Sequence, residues 1–220
     1  MTNNFEYLLF DFDGTIFDTS PGIFESFDAV AKHYGINIDK NVYNKMIGPP
    51  LKYSFVEYFG LPESEVQNAI AAYRDFYSDK GGMFNCKVYD GVLDLLKKLR
   101  ESGKKIFVAT SKPEEYAKAI LEKNSMLGLF DFVGGSDMNE KSRVEKVDVV
   151  NYVLQSQSIE DKKDSVLMIG DRLFDVNGAH SAGLKCMGIL WGFGSQKELE
   201  DSGADFICET PEDVLKFLSN

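Results

Sequence analysis

The chain has 220 residues, 44% of them hydrophobic, with a formal net charge of −11 and a sequence pI near 4.7. That acidic balance, with no Lys/Arg cluster long enough to track a phosphate backbone, speaks against a nucleic acid partner. No uncharged run reaches bilayer-spanning length, and the opening MTNNFEYLLF lacks a basic segment ahead of a long apolar one, so a cytoplasmic protein without a membrane partner is expected.

The first element is an apolar strand over Tyr7 to Phe10, and the stretch DFDGT follows it at once. If the chain stays extended, the two-residue period of a strand puts Asp11 and Asp13 on one side. Two carboxylates in a dry crevice need a cation between them or a proton on one of them. Gly14 permits a sharp turn, and Thr15 brings a hydroxyl and a backbone N–H to the same rim. An Asp-Gly pair alone would read as a plain turn, but flanked by YLLF and IFDTS the pattern is far more specific.

Residues 16–85 read as helices only. GIFESFDAVAKHYG, LKYSFVEYFG and ESEVQNAIAAYRDFYSDK carry apolar residues at three and four spacing, separated by the breaks IGPP and GLPE. Tyr53, Phe55, Tyr58 and Phe59 fall at helical spacing and read as the core of this insert. Lying between the first strand and the second, it is expected over the carboxyl ends of the strands, as a lid.

From Val88 onward helical patterns alternate with short apolar runs: DGVLDLLKKLRESGKK then IFVAT, YAKAILEKNSM then FDFVGG, VEKVDVVNYVL then SVLMIG, and so on to EDVLKFL. Repeated strand–helix units imply an α/β fold with a parallel sheet covered on both faces. The core is expected to comprise 1–15 and 86–220.

Three later strand ends carry chemistry. IFVATSK ends on Thr110 and Ser111, with Pro113 suited to a first helical turn, and hydroxyls at a helix N-terminus make an anion site or a simple cap. Lys146 lies near a helix start, where a cation opposes the helix dipole. GDRLFD sets Asp171 and Asp175 after a strand, a hard-oxygen pair that suits Mg²⁺, while Asp175 alone would serve as a cap. Cys86, Cys186 and Cys208 are odd in number, far apart and not in CxxC form, so they read as small buried hydrophobes rather than disulfides or a zinc site.

In this order, DFDGT, VATSK, Lys146 with its helix, and GDRLFD resemble the four motifs of the haloacid dehalogenase superfamily, in its phosphatase branch with a helical cap, over essentially the whole chain. The resemblance implies a Rossmann-like parallel core with an inserted α-helical cap over 16–85. It implies that Asp11 is the nucleophile that becomes an aspartyl phosphate and that Asp13 is the general acid/base. It further implies Mg²⁺ between the Asp11 carboxylate, the Asp13 carbonyl and Asp171, with Asp175 in or beside the shell. Thr110 and Lys146 would bind the phosphoryl group, with Ser111, Gly14 and Thr15 at its rim. Many relatives have proline after the lysine, whereas Val147 stands here and Lys141 lies five residues earlier; Lys146 is preferred because a helix starts around it.

Substrate identity is expected in the cap, since the core sees only phosphate; Asp18, Gly48, Pro49 and Arg74 are the candidates to face the substrate. MIGPPLKYSF, YSDKGGMFNCKVYDG and WGFGS resemble phosphoglycolate phosphatase-like enzymes, especially a 5'-nucleotidase-like subgroup, which implies a small phosphorylated metabolite as partner. The glycines of WGFGS, Gly192 and Gly194, read as a turn after a strand rather than a nucleotide loop. Two alternatives remain open. A β-phosphoglucomutase-like sugar phosphomutase would want another acid where Gly170 stands, and a phosphoaspartate receiver domain would lack the insert. No oligomeric state is legible.

Overall fold

The structure, a computed structural model, describes residues 5–138 and 142–219. In chain order the elements are β1 (Tyr7–Phe10), β2 (Phe17–Asp18), α1 (Ser20–Tyr34), α2 (Leu51–Glu57), α3 (Val66–Arg74), β3 (Lys87–Val88), α4 (Val92–Glu101) and β4 (Lys105–Pro113). There follow α5 (Glu114–Lys123), β5 (Phe132–Ser136), α6 (Lys146–Gln157), β6 (Val166–Gly170), α7 (Leu173–Ser181), β7 (Lys185–Ile189), α8 (Gln196–Asp201), β8 (Phe206–Cys208) and α9 (Pro211–Ser219). The chain divides into two compact units, Met1–Phe17 with Val88–Asn220, and Asp18–Lys87. Each crossing between them comes two residues later than the 16–85 bounds expected from sequence.

The first unit is built on a six-stranded parallel sheet in the order β5-β4-β1-β6-β7-β8. Every residue of β1 and β6 is buried, which is why YLLF and VLMIG read as unbroken apolar runs: strands covered on both faces need no polar alternation. Tyr7 and Leu9 join Phe107, Met168, Val149, Val153 and Val176 in one core layer under α6 and α7, while Leu8 and Phe10, at the alternate positions, take the other face. The strand order reverses at β1, which has β4 on one side and β6 on the other. The carboxyl end of β1 is therefore a topological switch point, where open α/β sheets form a crevice.

Two local expectations are corrected. IFVAT does not hand over to a helix at Thr110: β4 runs on through Pro113, pairing Thr110 with Gly135 and Pro113 with Ser136, and α5 begins only at Glu114. Thr110 and Ser111 thus stand on an extended strand and not at a helix N-terminus. The β-region ψ of 129° at Pro113 makes it the last extended residue rather than part of the first turn.

The second unit is helical between its two ends, where β2 and β3 straddle the unit boundary and pair with each other, so the stretch from residue 16 is not helix only. Its core is aromatic: Phe27 packs on Tyr73 at 5.2 Å between ring centroids, and Phe55 meets Phe59 edge-on at 5.1 Å. Phe55 and Phe59 are buried as expected, but Tyr53 is half exposed and Tyr58 only half-buried, because α2 turns just one face inward. After α3 the helix widens into a π-helical turn at Asp75–Asp79. Among the described residues no helix is long and apolar enough to cross a membrane.

Candidate active site

Asp11 leaves the carboxyl end of β1, where its N–H still bonds Ile169 of β6 at 2.9 Å. Asp171 follows directly on β6, and Asp175 is the third residue of α7. One carboxylate oxygen from each of the three lies within 4.8 Å of the others, and all three residues are buried. Asp175 also caps its helix, accepting the Arg172 N–H at 3.0 Å, so the cap and the cluster readings of this residue hold together. Gly170 is required here: a Cβ on it would lie 2.3 Å from Asp175 Cγ.

Lys146 is the first residue of α6, and its buried ammonium lies 2.6 Å from Asp11 Oδ1, 2.7 Å from Asp175 Oδ1 and 3.2 Å from the Ala109 carbonyl. Its unfavourable place against the α6 dipole is offset by these partners and by Asp148, whose carboxylate accepts the Glu145 N–H at the helix start. Lys141 lies outside the described residues.

One ammonium does not balance three buried carboxylates. Burial pushes Asp11 up to about 6; Lys146 pulls it down, and Asp175 and Asp13 push it up. Asp171 is held well above the usual carboxylate range by burial first, then by Asp175 and Asp11, against the Phe193 N–H and Arg172. For Lys146 burial works against the charge, but Asp11 and Asp175 outweigh it and its pKa rises above the ordinary value. The cluster is short of positive charge, all its free donors are oxygens, and a hard divalent cation fits it. Asp11, Asp171 and Asp175 are the residues that could hold one.

Asp13 does not join them. The chain bends after β1, with the Phe12 carbonyl accepting the N–H groups of Ile16 and Phe17 at 3.0 Å, so the extended geometry expected over DFD is lost. The Asp13 carboxylate instead meets buried Lys112, at 2.8 Å from Oδ1 and 3.1 Å from Oδ2. A strand that ends on Thr110 and Ser111 and gives way to a helix, as the sequence predicts, gives Lys112 no role. β4 carries a register irregularity between Thr110 and Pro113, so no regular period in the sequence singles Lys112 out.

Thr110 is buried, and its Oγ1 accepts the Lys112 N–H at 3.1 Å. Ser111, at the alternate position, is half-buried. Gly14 and Thr15 depart from the phosphate-rim expectation. The Gly14 N–H bonds the Phe17 carbonyl at 2.9 Å, the Thr15 N–H reaches Phe12 at 3.4 Å, and Thr15 Oγ1 donates to Asp171 Oδ1 at 3.2 Å. Their donors are engaged in shaping the loop and holding Asp171. Gly14 has φ +84°, and a Cβ there would lie 2.2 Å from Asp171 Oδ2, so both backbone and space demand glycine. By contrast, the N–H groups of Phe12 and Asp13 have no acceptor among the described residues. Asp18, Gly48, Pro49 and Arg74 belong to the second unit; there Asp18 accepts the Ser20 N–H and O–H at the start of α1, and Arg74 ends α3.

The family model described as haloacid dehalogenase-like hydrolase matches residues 8–189. A protein of Pseudomonas aeruginosa named 5'-nucleotidase is 34% identical over 202 residues, which cover 91% of this chain and 90% of that one. A protein of Mycobacterium tuberculosis named tyrosine-protein kinase PtkA is 34% identical over 211 residues, covering 96% of this chain and 68% of its own length. Among solved structures, a predicted phosphatase from Clostridium acetobutylicum superposes with a TM-score of 0.90 at 40% identity, over 96% of this chain and 97% of the other. With a buried acidic cluster at the switch point of a parallel sheet and these relatives beside it, the chain belongs to the haloacid dehalogenase-like hydrolases and is a phosphatase.

Proposed function

We propose that this chain is a Mg²⁺-dependent phosphomonoesterase of the cytoplasm, acting through an aspartyl phosphate on a small phosphorylated metabolite, either phosphoglycolate or a nucleoside 5'-monophosphate. The observation that carries the reading is the buried cluster of Asp11, Asp171 and Asp175, with the Lys146 ammonium paired to Asp11 and Asp175. Asp11, Asp171 and Asp175 would hold the ion, with the Asp13 carbonyl beside them; when bound, it supplies charge neutralisation for the carboxylates and for the phosphoryl oxygens.

The chain's own groups do the rest. Lys146 takes Oδ1 of Asp11, which leaves Oδ2 as the oxygen to attack phosphorus, and a pKa near 6 leaves that carboxylate ionised at neutral pH. The Asp11–phosphorus bond forms as the bond to the leaving oxygen breaks, and Asp13 gives that oxygen a proton. Asp13 then takes a proton from the water that hydrolyses the aspartyl phosphate, so it ends as it began. Lys112 holds Asp13 in place for both steps. Phosphoryl transfer is mainly positioning and charge stabilisation, and the donors for the equatorial oxygens are Lys146, the Thr110 hydroxyl and the N–H groups of Phe12 and Asp13.

None of these groups reads the alcohol part of the substrate, so we assign that selection to the helical insert, with Asp18, Gly48, Pro49 and Arg74 as candidates. The relative named 5'-nucleotidase supports the nucleotide arm of the proposal. The mutase alternative is disfavoured, because Asp175 occupies the space that any side chain at position 170 would need. The test is phosphate release from phosphoglycolate, nucleoside 5'-monophosphates and sugar phosphates, each with Mg²⁺ and with chelator. Chelator-sensitive release concentrated on one of the first two classes is expected; release from none of them, or isomerisation of sugar phosphates, overturns the proposal.

A further inference from the structure

The stretch after β7, residues 190–195, has no regular secondary structure, yet it is fastened to the acidic cluster at several points. The Phe193 N–H donates to Asp171 Oδ2 at 2.7 Å. The Trp191 indole N–H donates to the Thr15 carbonyl at 3.0 Å, and the Thr15 hydroxyl is the donor on the other oxygen of the same carboxylate, Oδ1, at 3.2 Å. The two glycines let the loop come this close. A Cβ on Gly192 would lie 2.4 Å from both Asp171 Cβ and the Gly14 carbonyl, and one on Gly194 would lie 1.9 Å from the Asp171 carbonyl.

A turn that only links a strand to the next helix needs none of these approaches. We propose that residues 191–194 are a positioning loop for Asp171, fixing the plane of its carboxylate by the Phe193 N–H on one oxygen and, through Trp191, by the Thr15 hydroxyl on the other. The inference rests on the metal-dependent reading above, and deepens it by naming what orients one of the cation's ligands. Each carboxylate oxygen accepts two hydrogen bonds or one hydrogen bond and a cation, so one donor on each leaves a lone pair on each, aimed by the loop. Partners that orient a metal ligand are commonly worth ten- to hundred-fold in affinity.

Isothermal titration with Mg²⁺, in the absence of substrate, separates this role from a merely structural one. Trp191→Phe keeps the ring and deletes the indole N–H; Gly192→Ala drives the loop off Asp171. Asp171→Asn serves as the reference for loss of the ligand, and thermal melting in chelator reports whether each variant folds. Mg²⁺ dissociation constants raised about 10-fold in Trp191→Phe and up to about 100-fold in Gly192→Ala are expected, with the Trp191→Phe melting point in chelator close to the parent's. If Gly192→Ala does not fold, Trp191→Phe alone decides. Constants within about two-fold of the parent in the folded variants, while Asp171→Asn abolishes binding, overturn the positioning role and leave the phosphatase reading intact. A parent that takes up no Mg²⁺ defeats both, and is told apart by the parent titration itself.

Discussion

Lys146 shows how much one buried side chain can carry. It faces Asp11 and Asp175 from a distance of 2.6 and 2.7 Å with almost no solvent beside it, so removing its charge leaves buried carboxylates without a counter-ion. Breaking such a pair from one side typically costs about 3–5 kcal/mol, and Lys146→Met is expected to lose that much in urea denaturation with chelator present. Asp11→Asn acts in the opposite sense. It removes one of three crowded carboxylates, so the chelated protein should be at least as stable as the parent, while phosphate release falls to background because an amide cannot form the acyl phosphate. A folded Asp11→Asn protein with near-parent turnover would remove Asp11 from the nucleophile's role. A Lys146→Met protein as stable as its parent would mean that the carboxylates had already taken up protons.

At the scale of elements, the site depends on how strands end. β6 stops at Gly170 and α7 starts three residues later at Leu173, with Asp175 folded back over the glycine. Gly170→Ala therefore pushes Asp175 off both its cap and the cluster, and overpacking of this kind costs about 1–3 kcal/mol. Loss of most Mg²⁺-dependent phosphate release should accompany it; an active alanine variant would show that Asp175 is dispensable to the cation. The start of β4 is fixed differently. Asp131 accepts the Ile106 N–H at 3.0 Å and pairs with Arg100 and Lys105 at 3.0 and 3.2 Å, tying α4 and β4 to the entry of β5. Burial alone would raise its pKa, but the Ile106 N–H and the two cations hold it below 3.8. In the window beneath 3.8 the unfolded chain binds the proton that folded Asp131 refuses, so the stabilisation is complete above that pH and lost as pH falls through the folded value. Asp131→Asn should cost about 1–2 kcal/mol at neutral pH, a figure kept low by the partial exposure of its partners. Parent and variant should converge in denaturant melts as the solution is taken below pH 3.8; a gap that persists in acid would assign the effect to packing.

For the molecule as a whole, the sequence disclosed what repeats and withheld what depends on a single backbone bend. Strands such as YLLF and VLMIG are legible because burial on both faces leaves an unbroken apolar run, and the helical stretch between β1 and β4 is legible because strand patterns disappear there. The meeting of Asp11 with Asp171, Asp175 and Lys146 follows from four strand or helix ends sharing one edge of a parallel sheet. The partnership of Asp13 with Lys112 was not legible: it needs the chain to bend after β1 and β4 to outrun its expected end, and neither event leaves a periodic trace. The 191–194 loop reaches Asp171 through the Phe193 N–H directly and through Trp191 by way of Thr15, contacts that no periodic pattern announces. What ties these parts together is charge. A fold that clusters three carboxylates in its interior with one ammonium paired to two of them should gain stability from a divalent cation by mass action. At a Mg²⁺ concentration about 100 times the dissociation constant the gain is about 2.7 kcal/mol. For a chain of this size each kcal/mol raises the melting temperature by about 2–4 °C, so calorimetry should find saturating Mg²⁺ about 5–10 °C above chelator. Asp171→Asn should erase most of that difference. If the variant keeps the full Mg²⁺ shift, the stabilising cation binds somewhere other than this cluster.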